Sequence, residues 1–154
     1  MKNIIQKAEW IAKEAHYNQK RRYTGEPYFT HCYNVARGVA KLVQDAEMIA
    51  AAFLHDTVED TAVTIDEIGE IFGERVAGLV YDLTDHFTPE NYPHMNRAKR
   101  KALEAKRLST VHVDAKLIKW CDLADNTASI VAHDPGFAKI YLVEKAQVLE
   151  EMGF

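Results

Sequence analysis

The stretch that most restricts the fold of this chain is Met48-Ile49-Ala50-Ala51-Ala52-Phe53-Leu54, which has no polar side chain and runs directly into His55-Asp56 and then Glu59-Asp60. A helix that is apolar on every side is stable only when buried, so this one belongs at the centre of its fold and delivers ionisable groups at its end. Ordinary helix ends need only a glycine or a basic residue. On one continuous helix, a spacing of four stacks His55 over Glu59 and Asp56 over Asp60. Carboxylates gathered this closely repel one another, and the first basic residue after His55 is Arg75. A bound cation is the simplest compensation.

The rest of the chain also repeats with the helical period. Residues 3–19 place Ile4, Ala8, Ile11, Ala12 and Ala15 on one face, and residues 28–43 do so with Tyr28, Val35, Val39 and Leu42 after Pro27. The central helix is expected over about 45–56. Thr64 and Glu67 have the spacing of a capping box, opening a short helix that stops at Gly73. Further helices are expected at 74–86, 96–109, 114–132 and 135–152, the last opening at Asp134-Pro135 and closing at Gly153. The two prolines of residues 87–95 mark a loop, and Ala62-Val63-Thr64 is the one short extended candidate. The fold class is therefore all-α.

With 154 residues and 47% hydrophobic content, the chain suits one domain over 1–154 with its own core. A net charge of −4 gives no sequence-wide electrostatic reason to bind nucleic acid or an anionic membrane. Cys32 and Cys121 are isolated thiols, there is no signal-like apolar block, and no apolar run approaches the ~20 residues of a membrane span. These features describe a soluble, reduced, cytoplasmic protein.

A metal at the acidic cluster needs ligands from elsewhere. His31 on the second expected helix and Asp122, an aspartate set inside the apolar segment 116–130, are the natural partners of His55 and Asp56. Two imidazoles and two carboxylates suit an open, six-coordinate divalent ion, Mn²⁺ or Fe²⁺ rather than a closed structural zinc. Such a site is suited to hydrolysis.

The blocks "RRYTGEPYFTH" (21–31), "HDTVEDT" (55–61) and "KWCDLADN" (119–126) together resemble the hydrolase domain of the RelA/SpoT family, and especially its stand-alone small alarmone hydrolases. The third block looks like the family's K-L-A-D-x-L-x-N pattern. The resemblance implies an HD-domain, metal-dependent phosphohydrolase built as a helical bundle. It implies Mn²⁺ held by His31, His55, Asp56 and Asp122, water activation by Glu59 and Asp60, and nucleotide contacts from Arg22 and Asn126. The implied reaction removes the 3′-pyrophosphate of guanosine tetra- or pentaphosphate, leaving GDP or GTP. The synthetase and regulatory domains of long family members do not fit in 154 residues.

The chain departs from the family where Arg22-Tyr23 replaces Arg-Lys and where Ala128 replaces an arginine. Each charged phosphate contact is worth roughly 1.5–3 kcal/mol, so replacements are expected among Lys20, Arg21, Arg97 and Arg100. Tyr141 resembles a base-stacking aromatic in the last helix of metazoan members of the family and equally fits a core position at helical spacing with Phe137. Cys32 and Cys121 read as buried inert thiols, and His16, His86, His94, His112 and His133 as structural or exposed. The expected partner is a small nucleotide, with neither nucleic acid nor membrane. A phosphatase acting on another nucleotide, such as the 2′-phosphate of NADPH, is the alternative, and a silent nucleotide-binding domain is weaker still because an uncompensated acidic pair repels phosphate.

Overall fold

The computed structural model describes residues 3–154. Its helices are α1 (Ile4–Ala15), α2 (Phe29–Leu42), α3 (Ala46–Leu54), α4 (Thr57–Asp60), α5 (Ile65–Phe72), α6 (Glu74–Leu83), α7 (Arg97–Leu108), α8 (Val113–His133) and α9 (Pro135–Met152). Side chains set most of their starts. Asn3 and Gln6 form a capping box at α1, and Thr64 and Glu67 form the expected one at α5. Asp45 caps α3 by accepting from the Glu47 and Met48 amides, and Asp134 caps α9 by accepting from Phe137 N–H ahead of Pro135. Gly153 closes α9 with a left-handed φ of 90°.

As the apolar run requires, α3 is central. Met48, Ala50, Ala51, Ala52, Phe53 and Leu54 are all buried, and α1, α2, α6 and α8 pack around them. Val35 and Val39 of α2, Val76 and Val80 of α6, and Ala115 and Ile118 of α8 complete this core. A smaller cluster of Leu108, Leu123 and Met152 joins α7, α8 and α9. At the outer end of α3, Arg75 donates to Asp45, Glu47 and Asp114, tying α6 to the starts of α3 and α8. The first cation after the acidic cluster is thus engaged away from it.

Three expectations on secondary structure are corrected. The central helix, expected over about 45–56, spans Ala46–Leu54, and the one continuous helix that would stack His55 over Glu59 and Asp56 over Asp60 is interrupted before α4 starts at Thr57. The break has local causes: Thr57 Oγ1 donates to the Leu54 carbonyl and His55 Nδ1 to the Ala52 carbonyl, so side chains take up carbonyls at the helix end. The first helix ends at Ala15 rather than 19, and the chain then turns through residues 16–19. Residues 62–64 form no strand; Thr61 Oγ1 accepts from Val63 N–H in a turn, and the one isolated β-bridge among the described residues joins Lys20 and Pro27.

Residues 84–96, which include the expected loop, are rooted on α7. The buried Glu104 carboxylate accepts from the His86 amide, from the Phe87 amide at 2.6 Å and from Arg107 Nε at 2.8 Å. Arg107 also donates to the Asp82 and Thr84 carbonyls. Glu104→Ala leaves two amides without their acceptor and a part-buried guanidinium without its counter-charge, and is expected to cost about 1–3 kcal/mol. Urea unfolding should show it as a lower midpoint at an unchanged slope.

Candidate metal centre and adjoining cleft

Helices α2, α3 and α8 converge where α3 ends, and each brings a ligand-type side chain there. His31 Nε2 lies 2.9 Å from Asp122 Oδ1 and 3.6 Å from Asp56 Oδ2, while His55 Nε2 lies 3.0 Å from Asp56 Oδ2 and 3.4 Å from Asp122 Oδ1. The sequence-based set of four is thus brought together. Among the described residues, His31, His55 and Asp122 form a group whose ligand atoms all lie within 4.8 Å of one another.

Both rings are held from behind. His55 Nδ1 faces the Ala52 carbonyl at 2.7 Å, and His31 Nδ1 faces Asp125 Oδ2 at 2.7 Å. Since both acceptors lack a proton to give, each Nδ1 carries the hydrogen and each Nε2 turns inward as a potential ligand. The donor set fits a divalent cation. In particular, His55 Nε2 is buried and makes no well-directed hydrogen bond, although two carboxylates stand close by.

Electrostatics point the same way. Burial pulls the His31 and His55 rings down, but the Asp122, Asp125 and Asp56 carboxylates outweigh it and hold both above the usual histidine range. Burial pushes Asp122 up, and Lys119 with the two histidines overrides this and holds it well below the usual carboxylate range. Asp56 is likewise pushed up by burial and brought down by His55 to about 2. Both Nε2 atoms thus face carboxylates on the side where a cation would sit.

Glu59 and Asp60 lie on the short α4 and line a cleft of about 610 Å³ together with Asp85, residues 87–91, Arg97, Arg100 and Lys101. Glu59 Oε1 accepts from the Asp85 amide at 3.2 Å and Asp60 Oδ2 from Gln19 Nε2 at 3.2 Å. Burial, reinforced by Asp85 and Asp56, raises Glu59 to about 8, and burial with Asp56 also raises Asp60. The first part of the expected 87–95 loop, residues 87–91, therefore walls the cleft that holds the acidic pair.

The residues expected to touch substrate fall in three places. Arg22 and Asn126 line a recess of about 190 Å³ with Arg21, Tyr28, Ser129 and Phe137. Arg97 and Arg100 line the acidic cleft, with Arg97 paired to Glu144 at 2.9 Å and lying over the Phe137 ring, and Arg100 donating to the Met95 carbonyl. Tyr141 packs against the smaller core cluster, donates to the Leu123 carbonyl at 3.3 Å and is raised by burial to about 12. Tyr23, at a departure from the family pattern, donates to Asp134 at 2.8 Å.

Several participants escaped the sequence reading. Lys119 donates to Asp122 at 3.0 Å, so the cluster has a protein cation after all. Tyr28 donates to Asp56 at 2.6 Å. His16, left as structural or exposed, is buried; its Nδ1 meets Gln19 Oε1 at 2.7 Å, and Gln19 in turn donates to Asp60. Lys119 stands in the third motif block, Tyr28 in the first, and His16 and Gln19 within five residues before it, which was the available signal. Cys32 and Cys121 are buried free thiols as expected, with Cys32 pushed up by burial to about 12.

A helical bundle that gathers two histidines and two aspartates in this way defines the HD domain class, and the HD domain family model matches residues 8–136, so the chain belongs to that family. More particularly, it is 58% identical over 80 residues to a guanosine-3′,5′-bis(diphosphate) 3′-pyrophosphohydrolase of Aquifex aeolicus, covering 52% of this chain and 11% of that one. It is 38% identical over 115 residues to the guanosine-3′,5′-bis(diphosphate) 3′-pyrophosphohydrolase MESH1 of Danio rerio, covering 73% of this chain and 61% of that one. The chain thus spans less than two thirds of the length of these curated relatives. The solved structure of a metazoan ortholog of SpoT that hydrolyzes ppGpp superposes with a TM-score of 0.85 at 27% identity, over 99% of this chain and 87% of the other. Among the described residues no helix is long and apolar enough to cross a membrane.

Proposed function

We propose that this chain is a manganese-dependent hydrolase that removes the 3′-pyrophosphate of guanosine tetra- or pentaphosphate, giving GDP or GTP and pyrophosphate. The observation that carries this reading is the convergence of His31 Nε2, His55 Nε2, Asp56 Oδ2 and Asp122 Oδ1 beside a cleft lined by both Glu59 and Asp60 and by Arg97, Arg100 and Lys101. The relatives' names and the similarity to a ppGpp hydrolase support it.

The four converging residues would hold the ion, and an open set of two imidazoles and two carboxylates favours Mn²⁺ or Fe²⁺. When bound, such an ion supplies a water of lowered pKa and charge to offset that on phosphoryl oxygens. The protein's own groups do the rest. Glu59, placed in the cleft beside the proposed centre, takes a proton from the attacking water and passes it to the departing ribose 3′ oxygen. Asp60 shares this path from the adjacent position. Arg97, Arg100 and Lys101 neutralise the pyrophosphate in the cleft, while Arg22 and Asn126 hold the nucleoside side from the recess. The Tyr28 and Lys119 bonds to Asp56 and Asp122 keep the ligand carboxylates oriented.

A second reading, a phosphatase acting on another nucleotide such as NADPH, is favoured by one observation: Tyr23 is committed to Asp134 and offers no charge where the family has one. Incubating the Mn²⁺-loaded protein with guanosine tetraphosphate, guanosine pentaphosphate and NADPH separates the two. Intact pyrophosphate released from guanosine tetraphosphate is the expected result. Orthophosphate alone, or no reaction with that nucleotide, removes the leading reading, and orthophosphate from NADPH installs the second.

A further inference from the structure

The two histidines of the centre are anchored in different ways. The acceptor behind His55 is a main-chain carbonyl of its own helix, Ala52 O, fixed by the fold itself. The acceptor behind His31 is a side chain, Asp125, contributed by α8 to a ring on α2. Asp122 and Asp125 are three residues apart on α8 and share one face, so the His31 ring is gripped at both nitrogens, by Asp122 Oδ1 at 2.9 Å and by Asp125 Oδ2 at 2.7 Å. Asp125 is itself well held: Asn34 Nδ2 donates to its Oδ1 at 3.0 Å, and Arg21 Nη1 lies 3.1 Å from its Oδ2. The pattern K-L-A-D-x-L-x-N leaves this position unspecified, and Asp125 is neither a ligand in the proposed set nor a residue of the acidic cleft.

We propose that Asp125 is the positioning residue of the metal centre, holding His31 with its Nε2 toward the ion and, through Arg21, fastening that ligand to the recess lined by Arg22 and Asn126. The inference rests on the metal reading of the proposed function. A carboxylate behind a ligand histidine fixes the tautomer and ring orientation and makes the ligand nitrogen more basic, and loss of such a partner typically lowers metal affinity 10–100-fold. The isosteric Asp125→Asn keeps an oxygen acceptor but removes the charge. Arg21→Ala leaves the Asp125–His31 bond in place and breaks only the arm to the recess.

The test is the Mn²⁺ dissociation constant, measured by calorimetric titration of the metal-free parent and of Asp125→Asn, Asp125→Ser and Arg21→Ala, each with its metal-free melting temperature. Both Asp125 variants should bind Mn²⁺ about 10–100-fold more weakly while melting near the parent, and using two of them keeps the test usable if one fails to fold. Arg21→Ala should retain the parent's Mn²⁺ affinity and lose affinity for guanosine tetraphosphate. Asp125 variants that bind Mn²⁺ as tightly as the parent overturn the proposal, as does an Arg21→Ala protein that loses as much metal affinity as they do. A parent that binds no Mn²⁺ overturns the metal reading itself, and this inference with it.

Discussion

Glu59→Gln is expected to lower kcat by roughly 10²–10⁴, the range of a lost general acid–base group, with metal content and nucleotide affinity near those of the parent. The glutamine keeps the size of the side chain and its acceptor for the Asp85 amide but cannot take a proton. Asp60→Asn should act similarly, and the double variant should cost much less than the product of the two, because groups on one proton path are not independent. Single-turnover rates on all three proteins measure this. A full rate in either single variant would return that residue to an ordinary acidic helix end, and a loss of metal would make it a ligand.

The same substitution carries a signature in stability. Glu59 goes from an ordinary value of 4.5 to about 8 in the metal-free fold, so the folded state binds a proton the unfolded chain has released. A carboxyl raised in this way stabilises below the lower value, and that stability is lost as pH climbs to the upper one. The metal-free Glu59→Gln protein should therefore gain melting temperature over the parent, with the gain growing between about pH 4.5 and 8.

Loss of metal is the other large effect expected. His55→Ala and Asp122→Asn should no longer hold stoichiometric Mn²⁺ and should lose measurable turnover. Asparagine is preferable to alanine at 122 because it keeps the side-chain shape and one oxygen acceptor for Lys119 or His31, whereas alanine strands a largely buried ammonium. In the parent, Mn²⁺ at 1,000 times its Kd should stabilise the fold by about 4.1 kcal/mol, and both variants should lack that increment. Inductively coupled plasma analysis and melting curves with and without Mn²⁺ read the two consequences. Stoichiometric metal retained by either variant would remove that residue from the ligand set.

What could be read from the sequence was local. The ends of α9 lie in Asp134-Pro135 and Gly153, and the start of α5 in Thr64 and Glu67, because capping is satisfied within one turn. The burial of α3 followed from its composition alone. The break at His55-Asp56 could not be read, since hydrophobic periodicity does not record a Thr57 hydroxyl taking the Leu54 carbonyl. Nor could Asp125 be read, because its role depends on how closely α2 and α8 approach: the bond to His31 spans 94 positions in sequence. Arg97 looked like a spare cation because its partner, Glu144, lies 47 residues away. The candidate ligands were legible as residue types in motifs; the groups that face them from behind belong to the tertiary arrangement.

The brevity of α4 bears on how this protein fails. Four residues are far too few for a helix that survives alone, so Glu59 and Asp60 keep their places through contacts with the rest of the fold, among them the Asp85 amide and Gln19. The candidate ligands sit instead at the junction of α2, α3 and α8, within or beside the main core. Partial unfolding that frees the 84–96 segment or the chain around Gln19 would spare the ion and scatter the acids. Ageing, heat or proteolytic nicking would then yield molecules whose proposed metal centre survives while the proposed acid–base pair is lost. A preparation judged by metal content alone would overstate its active fraction.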